Sequence, residues 1–365
     1  MKYEVKVVIG ANYGDEGKGL VSYCLAKEAV NRGKKVLTVL HNGGAQRGHT
    51  AGGKVHHTTG AGVDLGSDTY YGPRFMLDPI ALWLAETKVY VDPMCRVVLP
   101  CDVAVGRDAE RVRGDMRHGS CGMGIFAASK RNATPRYRLL AREVFNDPME
   151  FVKARIREIS DIYGWPGDTV YNNKNLIEAI KWMRNHCICK DLNAIKSMYK
   201  TVIFEGGQGL MLDQGNRGGF PHLTPSSTGA RNTLRMIKEL GGLPDIYYVS
   251  RTYMTRHGNG PLFMACAKED INPDIVDETN VPNEWQGALR FGYLTPAAQE
   301  RRIRKDLAMF DGFERKRINM VYTQTNYTDG KLAVGPGEWL DIEKPSFANR
   351  LWLSDRKDDM KIKED

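Results

Sequence analysis

Short apolar runs alternate with longer stretches of mixed apolar and polar residues along this chain. Val5-Lys6-Val7-Val8-Ile9 reads as a buried strand, Gly17–Arg32 as a helix and Lys35–Leu40 as a second strand. Thr201–Phe204, Ile246–Val249 and Ile318–Tyr322 are further buried-strand candidates, each short, apolar and followed by polar or glycine-rich residues. The alternation predicts an α/β fold with a mostly parallel central sheet flanked by helices. Its functional site is expected at the carboxyl ends of the strands. Residues 137–200 read as mainly helical with Glu/Lys/Arg-rich faces, and no internal repeat is visible. The length of 365 residues allows one large domain or two, and 355–365 (DRKDDMKIKED) reads as a polar tail that frays.

Composition narrows the class without naming it. A hydrophobic fraction of 42% and a charged fraction of 26% are ordinary for a globular protein. No apolar stretch approaches the ~18 residues of a membrane span. Met1-Lys2-Tyr3-Glu4 enters a strand at once, so no signal peptide is expected, and seven scattered cysteines fit free thiols in a reducing cytoplasm. His186-Cys187-Ile188-Cys189 suggests half a zinc site, but no second pair stands at suitable spacing. The net charge of +8 fits solubility or attraction to polyanions. No recognition helix, zinc finger or aromatic ribonucleoprotein motif accompanies it, so nucleic acid is not an expected partner. Nucleotide pockets account for local basic charge.

The chemistry concentrates where the first strand ends. Residues 10–19 read Gly-Ala-Asn-Tyr-Gly-Asp-Glu-Gly-Lys-Gly. A strand running through such a turn into a helix aims backbone N–H groups and a helix N-terminus at an anion, which points to phosphate. The ordinary P-loop is excluded. Counting back from Gly17-Lys18, its first glycine would fall on Asn12, and its Ser/Thr on Gly19. The usual hydroxyl ligand for a metal is therefore missing. Asp15, a carboxylate inside an anion cradle, is suited to bind metal or move a proton.

This loop and Gly43-Gly44-Ala45-Gln46-Arg47-Gly48-His49-Thr50 together resemble the adenylosuccinate synthetase family. That family carries Trp-Gly-Asp-Glu-Gly-Lys-Gly and Gly-Gly-x-Asn-Ala-Gly-His-Thr in the same order. Four later segments extend the resemblance: Gly119-Ser120-Cys121-Gly122-Met123-Gly124-Ile125, Phe204–Gly209, Phe220–Ser227 and Thr255–Pro261. It spans roughly residues 5–337 and implies a single domain over residues 1–354. The resemblance implies a ligase that uses Mg²⁺. In the family, the purine loses its N1 proton, O6 takes the γ-phosphoryl group of a nucleoside triphosphate, and the aspartate amine displaces phosphate.

By position, Asp15 is then the base at N1, His49 the donor to O6 and the phosphoryl group, and Lys18 a charge on the triphosphate. Asp15 and the Gly48 carbonyl would hold Mg²⁺. Asn12, Gly14, Glu16, Gly17, Lys18, Gly19, Gly48, Thr50, Gln324, Asn326 and Pro336 would form the triphosphate site. Asp15, Gln46, Ser120, Cys121, Arg136, Gln208 and Thr224 would form the monophosphate site, with Arg136 reaching across a homodimer interface.

Two departures bear on substrate. Thr323-Gln324-Thr325-Asn326-Tyr327-Thr328-Asp329-Gly330 matches the family's Thr-Lys-Leu-Asp-x-x-Asp-Gly, whose aspartate reads guanine. Here Asn326 replaces that aspartate. A carboxylate only accepts, whereas an amide donates and accepts, which pairs with adenine. Second, the family's four-arginine aspartate loop is trimmed to Asn283–Leu294, where Arg290 alone survives as the expected clamp on L-aspartate. One missing arginine lies near the ribose 2′-hydroxyl in the family. Together these features resemble the phage branch that joins aspartate to dGMP with ATP or dATP, making 2-amino-2′-deoxyadenylosuccinate toward 2,6-diaminopurine DNA. Some of that branch replaces the loop aspartate with serine, whereas this chain keeps Asp15. The close alternative is an adenylosuccinate synthetase acting on IMP with GTP. A non-catalytic nucleotide-binding protein is the alternative of another class, against which Asp15, Lys18 and His49 argue.

Overall fold

In a computed structural model of the chain, residues 3–163, 172–277, 280, 282, 284–355 and 358–363 are described, and the expected buried strands lie together in one sheet. Its ten strands run, edge to edge, Lys361–Ile362, Arg350–Ser354, Arg317–Thr323, Leu243–Arg251, Glu4–Gly10, Thr201–Gly209, Val36–Leu40, Asp68–Tyr71, Tyr90–Val91 and Ile188–Cys189. All neighbours are parallel except the Lys361–Ile362 edge strand. The first strand lies at the centre, with Val7 opposite Phe204 on one side and Ile246 on the other.

Alternation along that strand divides two cores. Val5, Val7 and Ile9 pack with Met236, Ile237 and Leu240 of the Leu234–Leu240 helix and with Ile303 of the Pro296–Leu307 helix. Val8 faces the other way, with Ile203 and Val249, onto Val21, Leu25, Ala26 and Ala29 of the Lys18–Asn31 helix. Burial on both faces is why these strands are nearly continuous hydrophobic runs rather than alternating ones. A third cluster joins the Asp68–Tyr71 side of the sheet to the helical stretch after residue 137. That stretch folds as helices Ala141–Asn146, Met149–Tyr163, Asn173–His186 and Leu192–Ile195; residues 164–171 lie outside the described set.

Two segments depart from expectation. Part of the supposedly frayed tail folds back, pairing Ile362 with Trp352 and Lys361 with Leu353, while Met360 packs against the second core. The Arg350–Ser354 strand would otherwise present an open edge, and a few residues returning across it satisfy that edge. The rest of the 355–365 expectation, residues 356, 357, 364 and 365, lies outside the described residues. The His186–Cys189 segment also has structural work: Cys187 is buried in the third cluster, Ile188–Cys189 is an edge strand, and His186 stacks on Trp182 with ring centroids 4.5 Å apart. No helix among the described residues is long and apolar enough to cross a membrane.

Candidate active site

The glycine-rich turn sits at the carboxyl end of the central strand, as the parallel topology requires. Gly17 caps the helix with φ 89°, and a Cβ there would lie 2.9 Å from Thr323 Cγ2. Only glycine fits that approach. Thr323 ties the far strand to the loop by donating from Oγ1 to the Glu16 carbonyl, 2.9 Å.

The loop's polar side chains divide into braces and cleft-facing groups. Asn12 is buried, donating to Ser250 Oγ at 3.0 Å and accepting from Arg302 at 2.8 Å and Gln299 at 3.3 Å. Glu16 turns inward too. One oxygen accepts from the Asn12 backbone N–H, and burial pushes its carboxyl up to about 7 against the pull of Lys18. Lys18 is buried and donates to the Gly14 carbonyl. Asn12 and Glu16, expected at the triphosphate, thus hold the loop's shape with their side chains. Asp15 lines a cleft of about 560 Å³, and its carboxylate makes no hydrogen bond or ion pair among the described residues.

His49 faces the same cleft from the start of the short His49–Ala51 strand. Its Nδ1 lies 2.9 Å from Glu205 Oε1 and 2.7 Å from Arg47 Nη2. Its Nε2 is buried with no protein partner among the described residues. Burial, reinforced by Arg47, pushes the imidazole down to about 3. Burial alone would raise Glu205, but Arg47 and His49 together hold it down at about 2. Arg47 itself pairs with Glu205 and donates to the Thr59 carbonyl, 2.7 Å. Neither Arg47 nor Glu205 was assigned a role from sequence. Arg47 stands where the family motif has alanine, and Glu205 opens the quoted Glu-Gly segment; those were the available signals.

The monophosphate residues Gln46, Ser120, Cys121, Gln208 and Thr224 all line this cleft. Gln208 accepts from Asn42 at 2.9 Å. Burial pushes the Cys121 thiol up to about 11, so it stands as a neutral thiol. Glu110 accepts from the Gly119 and Ser120 backbone N–H groups at 2.9 and 3.4 Å, so these amides of the expected monophosphate site are occupied. Arg136 is elsewhere: exposed, 3.8 Å from Glu158 and above the Tyr137 ring.

Gln324, Asn326 and Pro336 do not line the cleft. Gln324 follows Thr323 at φ 63°, so chain continuity places the Gln324–Asn326 turn beside the phosphate loop; Asn326 and Pro336 are exposed. Thr50 is the second residue of the His49–Ala51 strand. Arg290 also stands off the cleft wall, donating to the Gly258 and Gly260 carbonyls at 2.6 and 3.0 Å. Arg256, in the Thr255–Pro261 segment of the resemblance, does line the cleft. Its guanidinium lies 4.4 Å from the Tyr13 ring centroid and donates to the Pro261 and His222 carbonyls. In the trimmed loop, Trp285 packs on Gly122 between Arg107 and Arg111, while Asn283 lies outside the described residues.

A carboxylate, an unpartnered imidazole nitrogen and a phosphate loop around one cleft at the carboxyl ends of a parallel sheet define an α/β nucleotide-binding enzyme. The comparisons make the class specific. The adenylosuccinate synthetase family profile matches residues 7–280. The chain is 28% identical to the adenylosuccinate synthetase of Azotobacter vinelandii over 331 residues, covering 81% of this chain and 73% of that protein. The fold is similar to that of fully ligated adenylosuccinate synthetase from Plasmodium falciparum, with TM-score 0.69, 18% identity, and coverage of 94% and 84% of the two chains. It is also similar to that of cyanophage S-2L succinoaminodeoxyadenylate synthetase (PurZ) bound to dGMP and dATP as an energy donor. There the TM-score is 0.57 at 19% identity, covering 90% of this chain and 86% of the other. The chain belongs to the adenylosuccinate synthetase family, C–N ligases that join aspartate to a purine nucleotide at the expense of a nucleoside triphosphate.

Proposed function

We propose that this member joins L-aspartate to C6 of dGMP with ATP or dATP, giving 2-amino-2′-deoxyadenylosuccinate, ADP or dADP, and phosphate. The observation that carries the donor half is Asn326, an amide where the family places a carboxylate, on the turn leading away from the phosphate loop. An amide matches the donor–acceptor edge of adenine, which a carboxylate cannot. The trimmed loop, with Arg290 alone left of the family's arginines, supports a substrate lacking the 2′-hydroxyl. The PurZ fold neighbour, bound to dGMP and dATP, is consistent with both halves but shares only 19% identity.

In this reading Asp15 accepts the N1 proton, which places negative charge on O6. The oxygen attacks the γ-phosphorus and displaces the diphosphate. The aspartate amine then adds at C6 and phosphate leaves, carrying the former O6. His49 donates from Nε2 to the oxygen as charge builds there. The loop amides hold phosphate oxygens, and Lys18, whose ammonium is turned to the Gly14 carbonyl and off the cleft wall, adds its charge from behind the loop. An all-oxygen pair, the Asp15 carboxylate and the Gly48 carbonyl, suits a hard cation, and both residues line the cleft, with no hydrogen bond or ion pair to the Asp15 carboxylate among the described residues. Mg²⁺ held there would supply positive charge that partly neutralises the triphosphate. Arg136, exposed and off the cleft, is available to reach a second copy's cleft in a homodimer.

The second reading is IMP with GTP, favoured by the names of the curated relatives. The test crosses IMP, GMP and dGMP with ATP, dATP and GTP in the presence of aspartate and Mg²⁺. Product from dGMP with an adenine donor supports the proposal. Turnover confined to IMP with GTP overturns it in favour of the second reading.

A further inference from the structure

Two groups compete for one nitrogen in this cleft. His49 Nδ1 lies 2.9 Å from Glu205 Oε1 and 2.7 Å from Arg47 Nη2. An ionised carboxylate only accepts and a guanidinium only donates, so Nδ1 cannot satisfy both. If Nδ1 carries hydrogen it serves Glu205 but confronts an Arg47 N–H. If Nδ1 carries a lone pair it accepts from Arg47.

The surrounding bonds decide between these cases. Glu205 does not need the imidazole: Arg47 donates to Oε1, and the Ala61 backbone N–H donates to Oε2 at 3.1 Å. The Nη2 group has two hydrogens. One goes to Glu205, and among the described residues the acceptor that the other meets is Nδ1. All three side chains are buried, with Arg47 and Glu205 fully so. A buried N–H pressed against another N–H costs ~1–3 kcal/mol of unsatisfied polarity, so the lone-pair arrangement wins.

We infer that Arg47 is a positioning residue that fixes His49 as its Nε2–H tautomer, aiming a neutral N–H donor into the cleft. This rests on the proposed reading only for what the donor serves. Nε2 is the buried atom on the cleft side with no partner among the described residues, so the hydrogen held there is free for a ligand oxygen. A Glu205–His49 pair without the arginine would present a bare Nε2 lone pair instead, which repels a developing oxyanion. Arg47 thereby converts a carboxylate–imidazole pair, ordinarily arranged to accept a proton, into a fixed donor. The charged groups facing His49 are Arg47 on its own loop, Glu205 on the central sheet and Lys18 on the first helix. Of these, only Arg47 can donate to Nδ1 at the observed geometry.

The test is spectroscopic and needs no substrate. The full chain, labelled with ¹⁵N-histidine, is examined by long-range ¹H–¹⁵N correlation, with the His49 signals identified by their loss in His49→Asn. The wild type is expected to show hydrogen on Nε2 and a lone pair on Nδ1. Arg47→Met is expected to move the hydrogen to Nδ1, and Arg47→Lys to keep it on Nε2. In turnover, Arg47→Met should lower kcat by ~10²–10³-fold, the usual cost of one oxyanion donor, with nucleotide KM changed far less. Hydrogen on Nδ1 in the wild type overturns the inference, as does an unmoved tautomer in Arg47→Met. If Arg47→Met does not fold, the wild-type spectrum decides alone. An Nε2–H wild type inactive on dGMP would sink the substrate reading and leave this one standing; an active enzyme with Nδ1–H would do the reverse.

Discussion

Gly19 and His49 meet so closely that a Cβ on Gly19 would lie 2.6 Å from His49 Cβ, nearer than such atoms approach in real proteins. The position that carries a metal-binding hydroxyl in an ordinary phosphate loop is therefore bare because the imidazole-bearing strand packs against it. The loss of the hydroxyl and the presence of His49 are one adaptation. It follows that Gly19→Ser does not repair the loop. The added atoms displace His49, costing ~1–3 kcal/mol in overpacking and lowering kcat by ~10²-fold or more. Urea unfolding and single-turnover phosphoryl transfer measure the two effects. Unchanged turnover in a folded variant would show the contact is adjustable.

Asp15→Asn should leave the fold intact and reduce ligation by ~10²–10⁴-fold, the usual contribution of a positioned base. The asparagine keeps shape but cannot take the N1 proton. Nucleotide binding by calorimetry and turnover under saturating substrates separate binding from chemistry. Near-normal turnover would remove Asp15 from the mechanism.

The two arginines nearest the expected aspartate site differ in placement. Arg256 lines the cleft, and Arg290 is held behind it by the Gly258 and Gly260 carbonyls. Arg256→Leu is therefore expected to raise the aspartate KM by ~10–100-fold, the loss of a charge-assisted hydrogen bond at ~1.5–3 kcal/mol. Arg290→Leu should raise it less, by loosening the Gly258–Gly260 turn, with nucleotide affinity nearly unchanged. A larger effect from Arg290 would mean the segment rearranges to bring it into the cleft.

Asn326→Asp should lower the ATP-to-GTP ratio of kcat/KM. The variant's carboxylate accepts from guanine N1–H and the 2-amino group, but faces the adenine N1 lone pair with no hydrogen between them. Each mismatched buried bond costs ~1–3 kcal/mol. Asn326 is exposed here, so water softens the mismatch unless the turn closes over the base. A shift of ~10-fold is the expected minimum, and a wild type that already prefers GTP would sink the donor assignment.

Away from the cleft, Asp306 braces two elements, accepting from the Ala230 backbone N–H and the Tyr248 hydroxyl, both at 2.9 Å. Burial pushes its carboxyl up to about 6 from an ordinary 3.8. The folded state thus holds this proton to higher pH than the unfolded chain does. Its contribution to stability is fully present below about pH 4 and falls as pH rises through about 6, by up to ~3 kcal/mol. Asp306→Asn should remove that part of the pH dependence, read as converging urea midpoints at pH 5.5 and 8. A wild-type midpoint unaffected by this substitution at both pH values would show that the carboxyl titrates normally.

The elements built from unbroken apolar runs were legible in the sequence, because a strand buried on both faces needs little else to declare it. Val5–Ile9, Thr201–Phe204, Ile246–Val249 and Ile318–Tyr322 all lie in the central sheet. The short strands Asp68–Tyr71, Tyr90–Val91 and Lys361–Ile362 were not legible, since each exists only because a neighbour offers an edge. The same division holds in the site. Asp15 and Lys18 stand out through local glycine spacing, and His49 through the resemblance of its motif to the family's, each a property of a few consecutive residues. Spacing does not say which way a side chain turns. It was the packing of the first helix, the Thr201–Gly209 strand and the residue-47 loop that turned Glu16 inward and left Asp15 facing the cleft. The pairing of the Met254–Arg256 and Arg290–Gly292 strands left Arg256 on the cleft and Arg290 off it, and the fold brought Arg47 to Glu205 across 158 residues of chain. Contacts that long-range leave no periodicity, and only the folded sheet decides them.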